Sequence, residues 1–283
     1  MTAVQALLQQ AIDYAGLFPP AGLDLEAAVR NYASYQEGRD AWALGRFVLP
    51  AAKIAEFADR WPLYVEWPIS LLLGVDYDTE MRLAVDVGLK LDVVECRPER
   101  LEDIASIRMR MPADAKLFIE SPPAVARLDA FRSIAEAGAC AKLRTGGVTA
   151  DAIPGAGAVA AFLIDCAGQK LCLKATAGLH HAFRGEYRLT YAADSASACM
   201  HGFVNFFLAA AAAYEGANEV HVTSILNDGE AANFRASADM LWWRDSSFSL
   251  KALQTMRQRF AISFGSCSFE EPIGEMRSMG WIE

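Results

Sequence analysis

The sequence predicts an α/β protein, a single (β/α)8 TIM barrel with an N-terminal helical extension over residues 1–44. Three observations point there. Strand-like runs alternate with helical segments along most of the 283 residues, the signature of a parallel sheet with helical crossovers. Two runs, 139–144 and 171–174, flank a helical segment at 149–168, so strand, helix and strand make one βαβ unit. Each run carries a lysine, Lys142 or Lys174, with Thr and Gly soon after, and the C-terminal ends of barrel strands are where chemistry sits. An open doubly wound sheet is the runner-up, but no G-x-G-x-x-G follows a strand.

Residues 1–14 and 25–35 read as helices. Between them lies Ala15-Gly-Leu-Phe-Pro-Pro-Ala-Gly22, whose two prolines and two glycines make a rigid loop that caps a barrel end, lines a site entrance or simply connects. Strand-like runs follow at 46–49, an ambiguous pair at 63–66 and 70–74, then 91–96, 117–120, 139–144 and 171–174. Later ones are 219–225 and 261–264, with 240–243 a further candidate. Helical segments fall at 52–61, 79–88, 100–109, 124–138, 197–215 and 250–259. The apolar stretch 202–214 is too short to span a bilayer and contains Asn205, so it reads as a buried helix.

Composition narrows the partners. A net charge of −9 and a pI near 5.1 argue against nucleic acid, which selects a basic face. A hydrophobic fraction of 53% with 22% charged residues gives a globular chain with an ample core. Six cysteines (Cys96, Cys140, Cys166, Cys172, Cys199 and Cys267) form no C-x-x-C pair and read as reduced core thiols, which suits the cytoplasm. The N-terminus lacks the basic start and apolar run of a signal peptide. The expected partner is a small molecule, not nucleic acid or a membrane, and homo-oligomerisation is open.

Side chains alternate across a strand, so Cys140, Lys142 and Arg144 share one face, opposite Ala141 and Leu143. Cys172 and Lys174 likewise oppose Leu171 and Leu173. If the leucines pack under helices, both lysines enter the lumen, where buried lysines are rare unless paired or used. The same alternation places Asp92, Val94 and Cys96 opposite Leu91 and Val93, and Phe118 and Glu120 opposite Leu117 and Ile119. Asp92 and Glu120 would then join the lysines.

These segments resemble the deoxyribose-phosphate aldolase family and the wider class I (Schiff-base) aldolase barrels. Gly88-Leu-Lys-Leu-Asp92-Val-Val resembles the strand with that family's aspartate, and Lys116-Leu-Phe-Ile-Glu120-Ser the next strand. Ala137-Gly-Ala-Cys-Ala-Lys142-Leu-Arg-Thr-Gly-Gly resembles the strand bearing the Schiff-base lysine. Leu173-Lys174-Ala-Thr-Ala-Gly178 is similar to the strand with the second lysine and its phosphate loop, and Phe264-Gly-Ser-Cys-Ser268 to the final phosphate-binding turn. The resemblance implies a carbon–carbon lyase with Lys142, Lys174 and Asp92 in the reaction. It also implies substrate contacts from Glu120, Thr145, Gly146, Gly147, Thr176, Gly178, Gly265, Ser266 and Ser268. It covers residues 88–178 and the late segment; Arg144 stands where the family has a small polar residue, and 179–260 is longer than the family needs.

A lysine attacks a carbonyl only as the free amine, which means a fall of roughly three pKa units from about 10.4, or about 4 kcal/mol. A second ammonium about 6 Å away supplies near 3 kcal/mol at an effective dielectric of about 20. Lys174 fits that part, with Lys142 as nucleophile and Asp92 moving protons. Arg144 suits a substrate carboxylate or phosphate. Three other readings are open: a structural layer pairing the lysines with Asp92 and Glu120, an anion clamp of the phosphoribosyltransferase-barrel type, and a ligand-binding barrel without turnover. His180 and His181 follow the second lysine, and one of them is a candidate to hydrogen-bond substrate. Adjacent histidines point apart, and no H-x-H or H-E-x-x-H spacing supports a metal, so neither metal nor organic cofactor is assigned. His201 and His221 read as structural. Cys267 has no nearby histidine in sequence and is not assigned as a nucleophile. Trp242-Trp243-Arg244 suits packing outside the barrel or an oligomer contact.

Overall fold

The computed structural model describes residues 1–120 and 127–283. Eight parallel strands close into a barrel. In chain order they are β1 (Ile12–Tyr14), β2 (Leu44–Pro50), β3 (Ile69–Leu72) and β4 (Leu91–Cys96), then β5 (Lys116–Glu120), β6 (Cys140–Arg144), β7 (Leu173–Thr176) and β8 (Ala261–Ser266). Each pairs with its successor, and β8 closes on β1 with Ile12 opposite Phe264. Helices run between strands on the outside, so the expected (β/α)8 class holds.

Residues 1–44 are not an extension in front of the barrel. Their first helix is only Ala3–Leu8, closed at its start by the Thr2/Gln5 capping box. The chain then turns at Gln10 (φ 49°) and enters β1, a strand of three buried residues too short to show an alternation. Helix Leu25–Glu37, started by an Asp24 side chain on the Ala27 N–H, returns over β1 and β2. There Tyr32 packs with Tyr14, Phe47 and Trp67.

Other expectations shift for local reasons. Residues 63–66 form a 3-10 turn (Pro62–Glu66) started by its proline, leaving β3 to the second of the ambiguous pair. The run 219–225 is helical (Glu219–Asn227): Asn218 caps the His221 N–H, and packing on helix Phe203–Tyr214 overrides the β-branched residues. Residues 240–243 are a strand, but in an antiparallel sheet with Phe234–Ala236 and Ser246–Ser249 outside the barrel. Residues 197–215 divide into strand Ser197–Met200, which forms a hairpin with Gly185–Arg188, and helix Phe203–Tyr214. The helix expected at 124–138 is seen as Arg127–Glu136; its residues 124–126 lie outside the described residues.

Helix Phe203–Tyr214 is buried, as its composition suggests. Asn205 is satisfied there by donating to the Ile225 and Asp228 carbonyls, both at 2.7 Å, and accepting from the Arg184 N–H. Segment Ala150–Gly168 has the length and composition of a membrane span (mean hydropathy 1.4). In the fold it is the β6–β7 crossover, with Val159, Leu163 and Cys166 in the core. Trp243 is buried, and its indole N–H donates to Asp228, which also holds Arg244.

The cysteines need one correction. Cys140 and Cys172 form a disulfide (Cα–Cα 4.9 Å) between β6 and β7. Both point into the lumen one step before the register-matched pair Ala141 and Leu173, so their sulfurs meet although 32 residues separate them. Cys96, Cys166, Cys199 and Cys267 are free thiols. Together with Val93, Phe118 and Ile262 the disulfide fills the lower lumen. Thiol titration of the denatured, unreduced protein is expected to give four thiols, rising to six after reduction; six before reduction would remove the disulfide from the fold.

Candidate active site

Lys142 and Lys174 face each other across the β6–β7 ladder. Both enter the lumen and are almost wholly buried, with 6% and 1% exposure. They converge on one carboxylate. Glu95 of β4 places Oε1 2.5 Å from Lys174 Nζ and Oε2 2.8 Å from Lys142 Nζ. Asp13 of β1 takes the other side of Lys174 at 2.6 Å.

The remaining strands complete the network. Ser70 of β3 donates to Glu95 (2.6 Å), and Ser263 of β8 donates to Asp13 (2.7 Å). The Arg46 backbone N–H of β2 donates to Asp13 at 2.9 Å. Glu120 of β5 lies 3.5 Å from Lys142 Nζ and also holds Arg144. Every barrel strand therefore contributes one group.

Each charge is set by its neighbours. Burial alone would raise the Glu95 pKa, but Lys142 and Lys174 outweigh it and hold the carboxyl below the usual range. Asp13 is likewise lowered, because Lys174 and Arg46 outweigh its burial. Burial disfavours the Lys174 ammonium, yet Asp13 and Glu95 more than compensate, and its pKa is raised. Lys174 is thus a fixed cation. Glu120 is lowered against its burial by Lys142, Arg144 and Arg97.

Above this layer a cavity of about 330 Å³ opens at the C-terminal ends of the strands. Glu95, Lys142 and Lys174 line it below, with Val48, Leu72 and Thr176 on its walls. Phe18 and Pro19 line it too, so the loop 15–22 serves as a site wall and not merely a connection.

The expected site residues separate into groups. Lys142, Arg144, Gly147, Lys174, Thr176, His180 and Gly265 line the cavity. Glu120 stands behind Lys142 and Arg144. Thr145 donates its backbone N–H to the Thr176 carbonyl and its hydroxyl to the Ala177 carbonyl, which ties the loops after β6 and β7 together. Gly146 and Gly178 meet at that tie: a Cβ on Gly146 would lie 2.8 Å from Gly178 Cα, and Gly178 has φ +77°. Ser266 donates to the Ser268 carbonyl, and Ser268 Oγ accepts from the Glu271 N–H at the start of helix Glu270–Ser278. These hydroxyls close the turn after β8, with Ser268 capping the start of the helix. His181 turns away, bonded to Glu275 and stacked on Tyr187.

Asp92 does not join the lysines. It is half-exposed and pairs with the Arg46 guanidinium at 2.5 Å, outside the cavity lining. The cause is a register shift: Ile69 faces Leu91, but the next residue, Ser70, faces Val93. The extra residue on β4 reverses the parity above it, so Val93 and Glu95 enter the lumen and Val94 and Cys96 do not. Glu95 and Asp13 are the carboxylates that meet the lysines, and strand alternation does not reveal them. His201 bonds the Pro154 carbonyl and His221 bonds Ser246, both away from the cavity, in keeping with structural parts.

The chain matches no family model and no curated protein.

Removing Glu95 would leave two buried ammoniums short of a partner. Glu95→Gln is expected to lose about 3–5 kcal/mol of unfolding free energy, against less than about 0.5 kcal/mol for Asp129→Asn in an exposed pair. Glu95 and Asp13 bind protons less readily folded than unfolded, so their stabilisation is complete above about pH 5 and lost as pH falls. Denaturant titrations from pH 3 to 6 should show this slope, flattened in Glu95→Gln.

Proposed function

We propose that the protein is a class I aldolase-like carbon–carbon lyase that forms a Schiff base between Lys142 and a small aldehyde or ketone. The observation that carries this reading is the position of Lys142. Its amine borders the cavity, lies 2.8 Å from Glu95 and 3.5 Å from Glu120, and has as neighbour a Lys174 ammonium held by two carboxylates. Glu95 replaces Asp92 as the proton carrier: the two ammoniums hold its carboxylate ionised, and it becomes more basic as Lys142 gives up its charge.

The steps balance. Lys142 passes a proton to Glu95 and attacks the carbonyl carbon, giving a carbinolamine. Glu95 returns the proton to the departing hydroxyl, which leaves as water, and an iminium remains. The iminium carries the positive charge that the ammonium had, so the neutrality of the layer survives. In a β-hydroxy carbonyl the hydroxyl proton then passes to Glu95. The carbon–carbon bond electrons flow to the iminium nitrogen, an aldehyde departs, and the enamine is reprotonated and hydrolysed.

The anion clamp is the weaker reading. Lys142, Lys174 and Arg144 are matched by Glu95, Asp13 and Glu120, leaving no surplus of cations among these six for a phosphate. A small, weakly charged carbonyl compound suits this lining better than a phosphorylated one.

Borohydride reduction in the presence of short aldehydes and ketones, followed by peptide mass mapping, tests the proposal. A reduced adduct is expected on Lys142, absent in Lys142→Met and slower to form in Lys174→Met. Adducts confined to exposed lysines such as Lys53 would overturn it.

A further inference from the structure

A second nucleophile borders the same cavity. Cys267 follows β8 directly, is 5% exposed, and lines the cavity that Lys142 and Lys174 floor. His180, from the segment after β7, also lines it, with Nδ1 3.8 Å from Cys267 Sγ. The same nitrogen is 3.5 Å from a Glu271 oxygen and 3.4 Å from Ser266 Oγ. Tyr191, in the turn of the hairpin that follows β7, brings its hydroxyl to 3.7 Å from the sulfur. The thiol thus has a base, a carboxylate favouring the protonated base, and a second polar neighbour. Sequence gives little hint of this, since 87 residues separate Cys267 from His180.

We propose that Cys267 is a nucleophile that captures a small aldehyde in the cavity as a thiohemiacetal, with His180 as its proton acceptor and donor. His180 takes the thiol proton, the sulfur forms a bond to the carbonyl carbon, and the carbonyl π electrons move to oxygen. That oxygen takes the proton back from His180, so nothing is oxidised or reduced and no co-reactant is needed. Glu271 is a positioning residue. The capture does not require Schiff-base chemistry at Lys142.

The test is alkylation of the full-length native protein by iodoacetamide, read peptide by peptide, with the exposed Cys199 as internal reference. Cys267 is expected to label in the folded protein, and propanal added beforehand to slow it at least about tenfold while Cys199 is unchanged. His180→Gln is expected to slow Cys267 by at least about tenfold at neutral pH. Propanal protection in the wild-type chain needs no variant, so misfolding of His180→Gln does not blur the result. Protection that persists in Lys142→Met separates this thiol from the lysine reading. A Cys267 that labels only after unfolding, or labels at a rate that propanal does not change, overturns the proposal.

Discussion

A single carboxylate between two ammoniums fixes the interior of this barrel. Charges of this kind are expensive to bury, and a buried ion pair is no guarantee of net stability. Here the cost is offset because Glu95 serves both lysines, Asp13 serves Lys174 again, and Ser70 and Ser263 bond to the carboxylates. The contact between Lys174 and Asp13 joins residues 161 apart in sequence and exists only when β8 has closed on β1. The charged layer therefore depends on complete closure and rewards the correct strand register.

Position along the strands separates packing from chemistry. Below the layer lie Phe118, Val93, Ile262 and the Cys140–Cys172 disulfide, which leave the polar groups facing up. Above it the loops supply the walls: Phe18 and Pro19 from the turn after β1, His180 after β7, and Cys267 after β8. An amine on a strand, Lys142, and a thiol at a strand end, Cys267, thus border one small volume. Each has a polar neighbour, Glu95 beside the amine and His180 beside the thiol.

The sequence discloses much of this wherever strands are regular. Alternation along β5, β6 and β7 is enough to place Glu120, Lys142 and Lys174 on the lumen side. It fails on β4, where one extra residue between Leu91 and Val93 exchanges Asp92 for Glu95. It is silent on β1, where three buried residues display no period and hide Asp13. Cys140 and Cys172 are assigned to the right faces, but their pairing follows from inter-strand register, which no single strand contains. The same limit hides His180 beside Cys267. In 219–225 a β-branched composition points to a strand, while a capping asparagine and a neighbouring helix decide otherwise.

The coupling energy between Glu95 and Lys174 tests this description most directly. It is obtained from unfolding free energies of the wild-type chain, Glu95→Gln, Lys174→Met and the double variant. If the carboxylate organises the layer, the double variant loses less stability than the two single losses added together, by more than about 1 kcal/mol. Losses that add within about 0.5 kcal/mol would show that the two residues act independently and would contradict the account.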